Sequence, residues 1–511
     1  MNSIREKISL AVAATAVAMM ALTGCGSGTA STGGGAMLPD EQQNLTFVPA
    51  FAVPGLDPTK APLEMGSNQV LSNVLQALVK LDENSQPQPQ LAESWEWTTP
   101  TTLTLKLREG VTFSDGQALS SADVKATLER YISQKQTLAA VLAVIESVSA
   151  DDPTTVTITT TQPTGTLLGV LSMLFIGQAA HAQDDAWWAK PTGTGPFVIN
   201  DFIANDKVSL TRNEGYWGEK AKLRSLTFKL ITDVNAKVTA LSNGQAQVLN
   251  DVPFDQVATV EAMSNVAFTQ TEGLTYNFLW FNNAREPFTD VRVRTAMWEA
   301  VDLPTIVESL YGDTASVMDS FCPTSAFGCV AATDMPSYDP EHAKKLLAEA
   351  GYAEGFTADV IFSTANAGYD SLISALVSAW NEIGVTITPR ALDGATWLSE
   401  FSALNWDMDV QPNQTATGDA DYTLNRLYKC EAKRMGYCNP ELDQLMAQAQ
   451  ESNDAQARLK LYQQVVDTMV KDAPAIPLFQ TKPNVAASNT VQGLTIPPTE
   501  FIDWSTVYLT E

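Results

Sequence analysis

Only one stretch of this sequence is apolar enough to avoid water, the uncharged run from Ile8 to Leu22 behind Arg5 and Lys7. It is shorter than the roughly 20 residues a membrane-spanning helix needs. No later run reaches that length, so the rest of the 511-residue chain must fold in water around its own cores. A chain of this size exceeds one simple core, and two or more domains are expected. The composition, 45% hydrophobic and 17% charged, is that of a globular protein. Acidic residues outnumber basic ones 58 to 31, a net charge of −27. That balance argues against nucleic acid as a partner and against a basic patch for anionic lipids.

Basic residues, a short apolar run and then small residues describe a secretory signal, placed here at residues 1–24. A buried N-terminal helix or a signal anchor is the alternative. Leu22-Thr23-Gly24-Cys25 resembles the bacterial lipobox, in which the cysteine thiol takes a diacylglycerol and the chain is cut before it. Cys25 is therefore the expected lipidation site, since more than one acyl chain makes anchoring stable. Residues 25–38 then serve as a tether, whose glycine-rich part, Gly26–Gly35, has a reach of about 16–19 Å. The expected location is extracytoplasmic, on the cell membrane through the lipid alone.

Four cysteines remain, in two close pairs, Cys322 with Cys329 and Cys430 with Cys438. Disulfides persist in exported proteins. Three pairings are possible, and the two local ones are favoured over crossed pairs or free thiols. Each would close a short loop, contributing roughly 2–3 kcal/mol by the chain-entropy model. The spacing does not suit a zinc site, and histidine is scarce.

Alternating β-branched runs at Leu103–Leu107, Thr155–Thr160, Val208–Asn213 and Leu226–Ile231 predict strands. Helices carry their own punctuation. Asp339-Pro340 opens one that Gly351 stops, Asn439-Pro440 opens another, and Pro304 and Gly312 bracket a third. From Asp454 to about Asp472 an amphipathic helix places Leu459, Leu461, Val465, Val466 and Met469 on its apolar side. Strands and helices mix without regular βαβ order, which suggests α+β or mixed α/β lobes. Catalytic signatures are missing: no nucleophile elbow, phosphate loop, dinucleotide fingerprint or zinc-protease helix. His181 reads as a surface-loop residue and His342 as solvated on a helix face. Asp184-Asp185 and the Asp419/Asp421 pair read as solvated carboxylates rather than cation ligands.

Several long blocks, in order, are similar to bacterial extracellular solute-binding family 5, the large binding proteins of ABC importers. They are Leu91–Tyr131 ("LAESWEW…ATLERY"), Pro191–Gly218 ("PTGTGPF…EGYWG"), Pro287–Gly312, "YDPEHAKKLLAEAGY" and "YCNPELDQLMAQAQ". The resemblance implies a two-lobed α/β fold of the periplasmic-binding-protein type II, with the extra subdomain of the large peptide-binding class. One lobe would span 39–275 plus 480–511 and the second 276–479, with a hinge at Gly273–Asn282 and Leu478–Pro483. It implies no enzymatic activity and no cofactor or metal. The expected partners are an ABC permease and ATPase, with the receptor itself a monomer that captures peptides or peptide-like solutes.

Peptide-binding members hold the ligand's α-amine with an aspartate in a Trp-x-x-Asp segment. Aligned on "GDADYTL", Asn413 stands where the tryptophan would be and Ala416 where the aspartate would be. A register three residues later would bring Asp419 into that role instead. Tyr276, Trp397 and Phe51 are the remaining ligand-contact candidates, each with core burial as its alternative. The altered amine segment keeps a non-peptide solute open: an oligosaccharide, an opine-like compound or a metal chelate. A secreted hydrolase on the same scaffold is the remaining alternative.

Overall fold

The computed structural model describes residues 35–136, 138–366 and 368–511. The expected signal segment 1–24, Cys25 and all of the tether before residue 35 lie outside the described residues.

Three sheets organise the chain. The first has seven strands, in the order Val266–Gln270, Asn484–Ser488, Val248–Asn250, Asn44–Val48, Ser225–Lys229, Lys207–Arg212 and Phe197–Ile203. The second, with four strands, comes from an insertion: Ala92–Thr99, Thr102–Leu107, Thr155–Thr160 and Ile145–Asp152. The third has six: Ala315–Val317, Ala475–Thr481, Thr275–Phe281, Met408–Gln414, Thr357–Ser363 and Thr386–Leu392. The first two sheets belong to one lobe and the third to the other, giving the two-lobed α/β fold.

Period-two alternation explains the strand positions. Leu103, Leu105 and Leu107 point inward, as do Val156 and Ile158 on the paired strand, while the residues between them face out. The helix punctuation also does what its chemistry requires. Asp339 accepts from the His342 amide at 2.9 Å, and Pro340 opens the Pro340–Glu349 helix. Asn439 caps Pro440–Glu451, and Asp454 caps Ala455–Asp472. In that last helix the buried stripe is Arg458, Tyr462, Val465, Val466 and Met469, whereas Leu459 and Leu461 are half-buried. The stripe therefore begins on a charged residue, because an acidic partner waits for Arg458 in the core.

The chain crosses between lobes twice, at 271–274 and again at 482–483, and the crossings lie side by side. The Thr271 amide donates to the Pro483 carbonyl at 3.0 Å, and the Gln480 side chain donates to the Gly273 carbonyl at 3.0 Å. A Cβ at Gly273 would meet the Pro483 ring at 2.5 Å, so glycine permits this contact. Each of the three sheets gathers its own core, and Tyr422 reaches from the six-stranded lobe into that of the four-stranded sheet. One cluster gathers residues from Leu274 to Phe479 around the six-stranded sheet, and separate clusters serve the other two sheets. Both cysteine pairs are local disulfides, Cys322–Cys329 and Cys430–Cys438, in the six-stranded lobe.

Candidate functional site

The strand Met408–Gln414 runs antiparallel to Thr275–Phe281, and its end delivers a tight turn to the opposite lobe. The Thr415 amide donates to the Leu274 carbonyl at 2.9 Å, and the Gly418 amide donates to the Thr415 carbonyl at 2.9 Å. Gly418 closes the turn at φ +66°, where a side chain would be strained and would strike Leu81. Asp419 then caps the helix Ala420–Tyr428, accepting from the Asp421 amide at 3.0 Å. The turn is thus pinned at both ends, with Ala416 at its tip.

Ala416 lines a cavity of about 440 Å³ whose other walls come from the opposite lobe. That volume suits a small solute. One wall is aromatic and hydrogen-bonded. Gln76 accepts from the Trp217 indole at 3.1 Å and donates to the Tyr216 hydroxyl at 3.1 Å. The Arg108 guanidinium lies 5.5 Å from the Trp217 ring centre, a cation–π arrangement. Burial raises the Tyr216 hydroxyl above its ordinary range, so it stays protonated. Lys80, Asp82 and Asp503 add charge of both signs, and Phe175 and Phe501 add apolar surface. A narrow gap beside it, between Met65, Asn68, Gln414 and Ala416, continues toward the crossings. Such a wall can stack on a flat or apolar group while bonding polar ones.

The sequence candidates separate in space. Ala416 faces the cavity. Tyr276 is buried behind it, beside Phe278, and its hydroxyl accepts from the Asn413 amide at 3.4 Å. Asn413 also donates to Thr423 at 3.3 Å, and its carbonyl accepts from the Arg426 guanidinium. Trp397 stacks on Phe401 at 5.2 Å and donates its indole N–H to Asp409 at 2.8 Å, inside its own lobe. Phe51 is 42% exposed, in a shallow depression formed with Val53 and Phe228. Asp419 and Asp421, read as solvated from sequence, are both buried. Asp419 accepts from Arg458 at 2.7 Å, under a guanidinium that also covers the Phe327 ring. His181 stacks on Trp187, and His342 meets Glu299 at 2.6 Å.

Sequence reasoning missed Gln76, Arg108, Tyr216, Trp217 and Phe501. The block "NEGYWG" offered a signal in its paired aromatics, but nothing local says that they face a second lobe. Among the described residues, no group of three or more His, Cys, Asp or Glu side chains is arranged to hold a metal ion.

Asp409 gives this lobe a testable pH response. It is fully buried, and burial pushes its carboxyl up to about 7, against the bonds from Trp397 and Gln411. Unfolded, the same group titrates near 3.8. Between those values the folded state binds more protons, so this contribution makes stability fall as pH rises, and the fall ends above about 7. Between about pH 5 and about pH 8, Asp409→Asn should lose on the order of 2 kcal/mol less stability than wild type. Urea unfolding across that range reads this directly, and parallel profiles would contradict it.

Known proteins resemble this chain both in sequence and in fold. The model of the family described as bacterial extracellular solute-binding proteins, family 5 (middle) matches residues 86–434. Glutathione-binding protein GsiB of Escherichia coli K12 is 28% identical over 451 residues, covering 84% of this chain and 88% of that one. Among solved structures, HbpA2 from Haemophilus parasuis superposes with a TM-score of 0.84 at 23% identity, covering 92% of this chain and all of that one. NikA from Brucella suis, in complex with Fe(III)-EDTA, gives 0.83 at 21% identity, covering 91% and 100%.

Proposed function

Since the chain belongs to the bacterial extracellular solute-binding proteins of family 5, we propose that it is the lipid-anchored receptor of an ABC importer, capturing peptides or peptide-like solutes. The lobes would be 39–275 with 480–511, and 276–479, closing on solute about the paired crossings. The receptor would work as a monomer, held to the membrane by a lipid on Cys25, and pass its cargo to a permease with its ATPase. The role is capture rather than catalysis.

One observation carries the ligand reading: the turn that reaches the cavity presents Ala416, a methyl group, where peptide-binding members are expected to present a carboxylate. Asp419 does not substitute there, because it is buried against Arg458. The turn itself offers a free ammonium no carboxylate, and an ammonium desolvated there unpaired would cost several kcal/mol. The solute is therefore held by its polar middle and its apolar groups, on Gln76, Arg108 and the Trp217 face, rather than by its amine. The glutathione named for GsiB supports the peptide-like reading. The Fe(III)-EDTA bound to NikA favours a second one, a non-peptide solute such as a chelate.

Mass spectrometry of protein purified from its own membranes tests both parts. The expected result is a released peptide or peptide-like solute and a diacylated Cys25 at the N-terminus. The N-acetylated form of that solute should bind within about tenfold of the free one, or 1.4 kcal/mol. Abolished binding on acetylation would refute the Ala416 reading, and release of a non-peptide would transfer the assignment to the second. An unmodified Cys25 would remove the anchor.

A further inference from the structure

A second cavity, also about 440 Å³, lies between the lobes on the far side of the Ala416 turn. Gly169 on the helix Leu167–Leu171 separates the two cavities: it packs so closely on Thr417 that a Cβ there would sit 2.8 Å from the Thr417 carbonyl. One wall is the helix Ala420–Tyr428, with Tyr422 and Arg426, continued by Lys429. The other belongs to the opposite lobe and sets apolar Val144, Leu167 and Val170 beside polar Thr161, Gln162, Thr164 and Thr166. Tyr422 bridges the two, since its ring is buried in the core cluster of the four-stranded sheet.

The charge in this cavity is unusual for so acidic a chain. Among the described residues, neither Arg426 nor Lys429 has a carboxylate in ion-pair range, and nor does the nearby Arg434. Arg426 gives one N–H to Asn413 and leans over the Tyr422 ring at 5.1 Å, but its buried Nε has no acceptor. A buried guanidinium donor is costly to leave unbonded. Arg434 is depressed by burial and by the charge of Arg426, so the cluster repels itself. Two carboxylates line the wall: Asp421 is tied to Asn425, and burial pushes it up to about 7, so near neutrality it only partly offsets the cations, while Glu431 lies outside ion-pair range of both Arg426 and Lys429.

We propose that this second cavity binds a small carboxylate with an apolar body, its anion on Arg426 and Lys429 and its body against Val144, Leu167 and Val170. Guanidinium and carboxylate match in charge and geometry. Both lobes contribute walls, so an occupant stabilises the closed arrangement independently of the solute in the first cavity. The site differs from the cavity beside Ala416 and does not require that solute to be identified.

The test uses the purified full chain with nitrogen-15-labelled arginine, the Arg426 Nε–H signal being assigned by its loss in Arg426→Lys. N-acetyl-leucine, which carries a carboxylate and an apolar body but no amine, should shift that signal saturably. N-acetyl-leucinamide, its neutral twin, should bind at least tenfold more weakly. Lys429→Gln removes a cation with no bond to the fold and should weaken acetyl-leucine by about threefold to tenfold, with the signal itself still present. No saturable shift, equal shifts from acid and amide, or an unchanged affinity in Lys429→Gln would each overturn the site. Overturning it while purified protein still retains its own solute leaves the receptor reading intact.

Discussion

Asp419→Asn should destabilise the six-stranded lobe by about 3–5 kcal/mol while leaving the helix it caps in place. Asparagine caps a helix as well as aspartate does, so the bond to the Asp421 amide survives and only the negative charge is lost. What remains is a buried Arg458 with 7% of its side chain exposed and no counter-charge, still bonded to the Ala449 carbonyl and the Tyr462 hydroxyl. Asp419→Ala should cost about 1 kcal/mol more, because the cap goes as well. Arg458→Met should cost as much as Asp419→Asn. The double variant should cost less than the two singles together, since removing both charges leaves neither stranded. Urea unfolding of the four proteins measures the cycle. Strict additivity would mean that the pair is solvated in solution and the burial argument wrong.

A methyl group at Gly165 is expected to keep the lobes apart. Its Cβ would lie 1.9 Å from the Ser452 carbonyl across the lobe boundary, where the Gly165 amide donates to the Gln450 carbonyl at 2.8 Å. Backbone atoms cannot give way as a flexible side chain can, so the boundary must open. Gly165 lies just ahead of the helix Leu167–Leu171 that carries Gly169, and both glycines pack on backbone of the six-stranded lobe. Gly165→Ala should weaken solute binding about 100-fold, near 2.7 kcal/mol, and Gly165→Ala with Gly169→Ala by more. Small-angle scattering should show that the variants no longer contract when solute is added. Thermal unfolding should stay close to wild type, because neither glycine fills a lobe core. Contraction and affinity equal to wild type would mean that closure does not use this contact.

Much of the secondary structure is legible from short-range chemistry. Caps such as Asp339, Asn439 and Asp454 act within three residues, and strand alternation such as Leu103 to Leu107 acts every second residue. The family blocks then supply the order of those pieces. Disulfide pairing was also within reach, since each pair closes a short loop.

The sites were less legible, because each depends on residues far apart in the chain. Asp419 and Arg458 are a cap and a helix residue until the fold brings them together, and only then does burial make them one unit. Tyr276 and Trp397 are large aromatics, and their sequence neighbourhood does not say whether a cavity or a core receives them: Tyr276 is buried in the core, and Trp397 is half-buried against it. Arg426 carries no local sign of a missing partner, since a guanidinium is unpaired only relative to neighbours the sequence does not name. By itself the sequence determined the family and the local elements. The tertiary structure decided which lobe faces the Ala416 turn, because a cavity between lobes is made of surfaces that no single segment encodes.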